Sequence, residues 1–299
     1  MHKHNKLVSI IMATYNGEKF LHEQLISVVQ QTYPYLEIII VDDNSTDNTP
    51  NILRAFARQH SNIHLYFNEH NLGYIKTFEK GCTLASGNYI SFCDQDDVWA
   101  LNKIELQMQT LRDDAMVYCN DEMVDTNLNS LSKQYSDFKQ LSSFDNCLHF
   151  ATDNCVAGHS MIMKKELFNF AYPFPKEIPH DHWCAFCATF FGGVKYLNKP
   201  LVKWRMHENN VTHSEVNKKE TIRAMRKRLD IFFNTCPPEY KKEKTILKKL
   251  SESYKSFSLQ NNFLRMNLFI WYKNYLLATK KRNTFRKFFF CLKMFYKLR

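Results

Sequence analysis

Glycine is scarce in this sequence, with seven residues in 299. A glycine-rich phosphate-binding loop needs several closely spaced glycines, and no G-x-G-x-x-G pattern follows the first apolar run at residues 7–12. This absence argues against a dinucleotide-binding dehydrogenase. The loop after that run, residues 13–17, also lacks the glycine-rich, Arg- or Lys-bearing segment that is typical of a nucleotidyltransferase.

A disulfide framework and a long apolar span are absent as well. The nine cysteines are an odd number without regular spacing, which is typical of reduced thiols in a cytosolic protein. Cys184 and Cys187 have C-x-x-C spacing without a second pair, so we interpret them as buried helix positions. No run reaches the ~18 uncharged apolar residues that a membrane-spanning helix requires. The basic residues 1–6 precede a short predicted strand, so no signal peptide is predicted.

Positive charge is concentrated near the C-terminal end. The formal net charge is +10, and the excess lies beyond Glu215, in the segments 218–228, 241–249, 280–282 and 286–287. Basic and bulky apolar residues alternate at 286–297, which favours docking on an anionic membrane surface. The alternative is a helical cap with a solvated basic face. If the C-terminal region docks in this way, we expect a cytoplasmic protein that is peripherally bound to the inner face of the cytoplasmic membrane.

The first 120 residues alternate between predicted strands and helices. Continuous apolar runs are typical of strands that are buried on both faces, and they predict strands at 7–12, 36–41, 63–67, 89–93 and 116–118. Apolar residues at helical spacing between these runs predict helices at 18–31, 75–85 and 102–111, and another that ends at Arg58. The alternation predicts an α/β fold with an open, mostly parallel sheet flanked by helices.

The rest of the chain is less regular. Residues 121–154 are polar and predict an inserted loop or small hairpin, followed by strands at 156–163, 194–197 and 201–207 and a helix at 182–191. The pattern becomes helical and basic from about residue 215. We therefore predict a boundary near Ser214, with halves at 1–120 and 121–214 and a C-terminal helical basic extension at 215–299.

Two acidic clusters follow buried strands of the predicted sheet. Ligands of such sheets bind beyond the carboxyl ends of the strands, so residues 13–17, Asp42–Asp43 and 94–97 are expected at one edge. Asp94, Asp96 and Asp97 would repel one another unless a divalent cation, Mg²⁺ or Mn²⁺, relieved the repulsion. The alternative for both clusters is helix N-capping. An acidic edge also argues against nucleic acid as the partner of the basic tail.

Polar residues of the second half could complete a site. Asp181, within the run 180–183, could act as a general base on a hydroxyl group, or it could simply cap the helix that begins there. His207 ends a predicted strand and could bind a metal or phosphate, although a lone histidine is more often structural.

The combination of these motifs resembles family-2 glycosyltransferases. It consists of S-I-I-M-A-T-Y-N-G at 9–17, I-V-D-D-N-S-T-D at 40–47 and D-Q-D-D-V-W at 94–99. The resemblance covers about the first 115 residues, and the order of the three motifs makes it specific. With H-D-H-W at 180–183 and H-E-N-N at 207–210, the chain is similar to the bacterial branch that includes rhamnosyltransferases of surface polysaccharide assembly.

The resemblance implies a GT-A fold and an inverting, metal-assisted transfer from a UDP- or dTDP-sugar to a hydroxyl of a glycan or lipid-linked glycan. It makes residues 1–214 the catalytic domain, with a nucleotide-sugar half and an acceptor half. The implied residues are Ala13, Thr14, Tyr15, Asp43 and Asp94 for the nucleotide, Asp96 and His207 for the metal, Asp181 as the base, and Gly158, His159, His180, His182 and Trp183 on the acceptor side. Where this chain has His180 and His159, relatives often have Glu and a small residue or Cys.

Overall fold

The computed structural model describes residues 6–208 and 218–296. One curved sheet of nine strands forms the centre of the protein, in the order β3-β2-β1-β4-β8-β6-β9-β5, with β7 paired to β6. The strands are β1 (Val8–Thr14), β2 (Leu36–Asp42), β3 (Ile63–Phe67), β4 (Tyr89–Cys93), β5 (Val98–Trp99), β6 (Met116–Val124), β7 (Ser130–Gln134), β8 (Met161–Lys164) and β9 (Val194–Arg205).

The predicted nucleotide-sugar half, called the donor half below, contains the parallel block β3-β2-β1-β4. Strands β1, β2 and β4 are almost completely buried, which explains why each one appears in the sequence as a continuous apolar run. The predicted strands and helices of this half are confirmed to within a few residues at each end. The helices are α1 (Leu21–Val29), α2 (Thr49–Gln59), α3 (Tyr74–Leu84) and α4 (Lys103–Thr110).

The second half of the sheet is mixed. Strand β8 runs antiparallel to both β4 and β6, whereas β6 and β9 are parallel. The predicted loop or hairpin region contains the β6–β7 hairpin. The predicted strand at 156–163 is too long, because a 3-10 turn occupies Gly158–Ser160 and β8 begins at Met161. The two strands predicted at 194–197 and 201–207 are one strand, in which Pro200 pairs with Asn120 where the register shifts.

Seven helices follow β8 within the described residues. They are α5 (Lys165–Ala171), α6 (His180–Ala188), α7 (Lys218–Thr235), α8 (Lys241–Ser253), α9 (Leu259–Trp271), α10 (Lys273–Leu276) and α11 (Thr284–Lys293). The predicted boundary near Ser214 lies outside the described residues. None of the helices in 6–208 and 218–296 is long and apolar enough to cross a membrane.

The C-terminal helices share one hydrophobic cluster with the second half of the sheet, the predicted acceptor half, and with residues of β1, β2 and β4. Phe232 of α7 stacks on Phe186 of α6, with 4.0 Å between ring centroids. Farther along, Asp153 accepts hydrogen bonds from Lys139, Thr279 and Lys280, and it thereby ties the segment after α10 to the acceptor half. The prediction of a helical C-terminal region is confirmed, but its apolar face is part of the common core.

Candidate active site

A cleft of about 990 Å³ lies beyond the carboxyl ends of β1, β2 and β4. Its walls come from both halves of the sheet, and clefts of this size are typical of small-molecule sites. Twelve of the thirteen predicted site residues line it: Ala13, Thr14, Tyr15, Asp43, Asp94, Asp96, Gly158, His159, His180, Asp181, His182 and His207.

Trp183 is the exception. Its side chain is buried in the core, where the indole N–H donates to the carbonyl of Ala171 (2.7 Å) and the ring lies parallel to that of Phe232. In an α-helix, two residues of separation turn a side chain by about 200°, so Trp183 points away from the cleft that Asp181 faces. Trp183 therefore packs in the core and does not line the cleft.

The aspartates at the end of β2 have different surroundings. Asp42 accepts hydrogen bonds from the backbone N–H and hydroxyl of Ser45 (2.8 and 2.6 Å), as in an ordinary turn. Asp43 accepts from the backbone N–H groups of Leu72 and Gly73 (2.8 and 2.9 Å) and also faces the cleft. Asp42 thus closes the turn after β2 and does not cap α2, which begins at Thr49, while Asp43 joins the cleft to the loop before α3.

Gln95, the residue between Asp94 and Asp96, fixes the loop after β1. Its side-chain amide accepts from the backbone N–H of Tyr15 (2.9 Å) and donates to the carbonyl of the same residue (3.0 Å). Sequence reasoning gave Gln95 no role. The structure shows that this reciprocal pair couples two stretches of the cleft wall.

Asp96 and His207 meet at the mouth of the cleft. Asp96 Oδ2 lies 2.9 Å from His207 Nε2, and the imidazole packs on the Phe20 ring with 5.1 Å between centroids. Neither Asp96 nor Asp97 caps a helix, because β5 follows them and α4 begins only at Lys103. Burial, and then the neighbouring Asp94, raise the pKa of Asp96. A divalent cation would relieve this cost, and carboxylate with imidazole is a suitable donor set.

His159 lies at the centre of a second, deeper group of carboxylates. Its Nδ1 is 3.0 Å from Asp94 and 3.3 Å from Asp97, and its Nε2 is 3.3 Å from Asp121. Burial alone would lower the pKa of His159, but Asp97 and Asp121 outweigh burial and raise that pKa well above its usual value. Atoms of Asp94, Asp97 and His159 are close enough to hold a metal. Because both ring nitrogens face carboxylates, we interpret the group as an ion-pair cluster in which His159 is the cation.

Asp181 lies in the first turn of α6, where the backbone N–H of His182 donates to its Oδ1 (2.6 Å). Burial raises the pKa of Asp181 to about 6. Tyr74 of α3 lines the same cleft as Asp181 and Asp94, and burial, followed by the charges of these two carboxylates, raises the pKa of Tyr74 to about 12. The carboxylate is therefore positioned between the two halves, with a pKa suited to proton transfer near neutral pH.

Two histidines flank Asp181 and differ in their surroundings. The ring of His180 packs on Phe78 and Phe92 (4.4 and 4.6 Å), and burial lowers its pKa to about 4. A Cβ at Gly158 would lie 2.7 Å from His180 Nε2, so the glycine leaves room for this ring. His182 instead holds the carbonyl of Phe150 through Nε2 (2.6 Å), as a structural histidine does.

Residues 9–170 match the family described as "Glycosyl transferase family 2". The chain belongs to this family. It is 31% identical to the UDP-Glc:α-D-GlcNAc-diphosphoundecaprenol β-1,3-glucosyltransferase WfgD of Escherichia coli, over 70% of this chain and 81% of the relative. The protein is therefore a glycosyltransferase, as the motifs predict, and the nucleotidyltransferase and nucleic-acid-binding alternatives are set aside.

Two solved structures share its fold. TarS of S. aureus in complex with UDP-GlcNAc superposes with a TM-score of 0.62 at 19% identity, covering 98% of this chain and 81% of TarS. The mannosyltransferase PcManGT of Pyrobaculum calidifontis, solved with GDP-Man and Mn²⁺, gives 0.57 at 19% identity, covering 88% and 72%. These similarities confirm the GT-A type fold.

A buried arginine fixes the acidic loop of this glycosyltransferase. Arg205, at the end of β9, donates from Nε to the carbonyl of Asp96 (2.8 Å), and its backbone N–H donates to Asp97 Oδ1 (3.0 Å). Its guanidinium also pairs with Glu23 of α1 and lies 4.5 Å from the Phe20 ring. Arg205 thus joins α1, the acidic loop and β9 at one point. No sequence pattern indicates this role, because Asp96, Asp97 and Glu23 all lie more than 100 residues from Arg205.

Proposed function

We propose that this glycosyltransferase transfers a sugar from a UDP- or dTDP-sugar to a hydroxyl of a glycan or lipid-linked glycan in surface polysaccharide synthesis, with inversion at the anomeric carbon. One observation carries the proposal: a buried carboxylate with a raised pKa, Asp181, shares a cleft with the Asp96–His207 pair. The relative named for a GlcNAc-diphosphoundecaprenol acceptor and the fold neighbour solved with UDP-GlcNAc support the substrate classes.

The nucleotide would bind at the ends of β1 and β2. Ala13, Thr14 and Tyr15 form one wall there, and Asp43 forms part of the floor. In this proposal Asp43 contacts the pyrimidine ring and Asp94 contacts the ribose or the sugar. The Gln95 amide supports the assignment, because it holds the Tyr15 backbone against the acidic loop.

Asp96 and His207 would hold a divalent cation, Mg²⁺ or Mn²⁺. Their side chains meet at the mouth of the cleft, and the carboxylate next to Asp94 carries an electrostatic cost that a cation removes. When bound, such an ion neutralises negative charge on the departing diphosphate. Arg205 holds the backbone of Asp96 in place, and Phe20 packs on the imidazole ring of His207.

Asp181 would take the proton of the acceptor hydroxyl. As that oxygen forms its bond to the anomeric carbon, the bond from the carbon to the diphosphate oxygen breaks, and the electron pair leaves with the nucleotide. Attack from the face opposite the nucleotide inverts the configuration. In this arrangement Gly158, His159, His180 and His182 surround the acceptor side: Gly158 makes room for His180, and His159 neutralises the carboxylates beneath.

A thermal-shift screen of nucleotide sugars, with and without Mn²⁺, tests the proposed donor. We expect one UDP- or dTDP-sugar to raise the melting temperature, and to raise it more with Mn²⁺, because binding to the native state alone stabilises it. ADP- and GDP-sugars serve as controls. The same donor should release its nucleoside diphosphate during transfer and no pyrophosphate. Stabilisation by purine donors alone would contradict the assignment of Asp43.

The C-terminal region would dock on the anionic membrane surface that carries a lipid-linked acceptor. We propose a domain boundary near residue 214. Within the region beyond it, residues 253–299 contain no Asp or Glu. Helix α11 buries Phe290, Cys291 and Met294 on one side. Its other side exposes aromatic side chains next to basic ones, among them Phe285, Phe289 and Arg286. An aromatic and basic surface of this kind suits an anionic interface.

Replacing the exposed aromatic residues should release the protein from vesicles. We expect Phe285→Ser/Phe289→Ser in the full chain to weaken binding to vesicles of phosphatidylglycerol and phosphatidylcholine by about tenfold or more, because buried apolar area drives interfacial docking. Sedimentation with the vesicles measures the effect. Leu101→Ser/Leu131→Ser, which removes two exposed apolar side chains of other faces, should bind as wild type does. Equal binding of all three proteins would overturn docking through α11.

A further inference from the structure

Two aromatic side chains form a corner at one end of the cleft. Trp204 and Tyr135 both line it, and their rings meet nearly at right angles (87°) with 5.7 Å between centroids. On its other side the Trp204 ring lies 6.1 Å from the ring of His159. Trp204 is only half-buried, so part of its ring is open to the cleft.

The position of Trp204 follows from the alternation of β9. Successive side chains of a strand point to opposite faces. Arg205 points toward Glu23 and Phe20 in the donor half, and Trp204 therefore points toward the acceptor half. Trp204 belongs to neither of the two apolar clusters formed by the described residues. The Trp204 ring packs on Tyr135, which lies against the first of these clusters, and Trp204 also lines the cleft.

Tyr135 is held on the wall of the cleft by a local turn. It begins the 3-10 turn Tyr135–Asp137, which is closed by reciprocal hydrogen bonds between Gln134 and Asp137. Tyr135 and Asp181 line the same cleft, and burial, followed by the charges of Cys155 and Asp181, raises the pKa of Tyr135 above its usual value. The aromatic corner and the base consequently face the same space.

We propose that Trp204 and Tyr135 form the subsite for the pyranose ring of the acceptor. This inference rests on the proposed function and adds where the acceptor binds. A pyranose has a face rich in C–H groups that packs on an aromatic ring, and such packing removes apolar area of both partners from water. A base requires its hydroxyl within hydrogen-bond reach and in a fixed orientation. With one face of the sugar on Trp204 and its edge on Tyr135, a hydroxyl is directed at Asp181.

Fluorine NMR of the full chain with 5-fluorotryptophan at its four tryptophans tests the subsite directly. The Trp204 signal is assigned with the Trp204→Phe variant. Methyl glycosides of glucose, galactose, N-acetylglucosamine and rhamnose are then titrated in the presence of UDP and Mn²⁺. We expect at least one of them to shift the Trp204 signal and to leave that of the buried Trp183 unchanged. If none of the four moves the Trp204 signal, the proposal is overturned.

Kinetics of variants provide the second measurement. With a short-chain GlcNAc-diphospho-lipid as acceptor, Trp204→Ala should raise the acceptor KM by about tenfold, and Trp204→Phe should raise it less. The donor KM should stay near its wild-type value. An equal rise of the donor KM and the acceptor KM would place Trp204 in the donor site and contradict the proposal. Calorimetry of UDP binding tests the proposed function separately. A failure of UDP to bind would contradict the proposed donor, whereas an unshifted Trp204 signal would contradict the acceptor subsite.

Discussion

Asp181→Asn is expected to reduce sugar transfer by a factor on the order of 10²–10⁴, the usual contribution of a general base. The amide has nearly the same shape as the carboxylate and can still accept the backbone N–H of His182, but it cannot take a proton. Donor affinity should be unchanged, because the residues that we propose for the nucleotide lie at the ends of β1, β2 and β4, whereas Asp181 lies in α6. Transfer rates and calorimetric donor binding measure the two effects. Undiminished transfer would show that Asp181 is not the base.

Asp145→Asn provides the matched control for this substitution. Asp145 is exposed and does not line the cleft, so its amide variant should transfer sugar at the wild-type rate. A parallel loss in both variants would indicate a general electrostatic effect of one removed charge.

The raised pKa of Asp181 gives this prediction a pH dependence. The base must be ionised, so kcat/KM of the wild type should rise with pH and level off above about 6, the pKa of the buried carboxyl. The ordinary value is 3.8. Between these values the folded protein binds more protons than the unfolded chain, so ionisation of Asp181 lowers stability as pH rises. Asp181→Asn should therefore melt at the same or a higher temperature than wild type at neutral pH.

Asp96→Asn is expected to abolish metal-dependent transfer, with a loss on the order of 10³-fold, since the charge stabilisation that a metal supplies amounts to several kcal/mol. The amide keeps the shape of the side chain and weakens its affinity for a hard cation. Manganese binding in the presence of UDP, followed by electron paramagnetic resonance, measures the cause, and transfer measures the consequence. His207→Ala should weaken manganese binding in the same direction.

Metal binding at the deeper carboxylate cluster would contradict the assignment of the cation to Asp96 and His207. If manganese binding survives Asp96→Asn and is lost in Asp97→Asn, the cation would bind with Asp94, Asp97 and His159 instead. The positions of the ring nitrogens argue against that result, because Asp121 already faces Nε2 of His159.

Local patterns of the sequence were sufficient to predict the donor half. Strands β1, β2 and β4 are buried on both sides, so their apolar runs and the acidic residues after them are visible without any knowledge of pairing. Periodicity also predicted α6, and the family resemblance implied a place for Trp183 on the acceptor side beside Asp181. The helical rotation between the two residues places its ring in the core instead.

The features that the sequence did not reveal depend on contacts between distant residues. His159 meets Asp94 and Asp121 only because β8 lies between β4 and β6 in the sheet. Arg205 reaches Asp96 across 109 positions. A single strand at Val194–Arg205 was also unexpected, since Pro200 interrupts the apolar pattern while a register shift in the neighbouring strand accommodates it.

The shared core of the acceptor half and the C-terminal helices limits how this enzyme can be recombined. The family match ends at residue 170, yet Phe186, Phe232 and Leu250 of later helices are completely buried. A chimera joined at the end of the family match would separate halves of one apolar interior and expose both. Exchange of acceptor specificity with a relative therefore calls for a graft that carries the second half of the sheet and its helices as one block, and that block must also fit against Ile11, Ile39 and Phe92 of the first half.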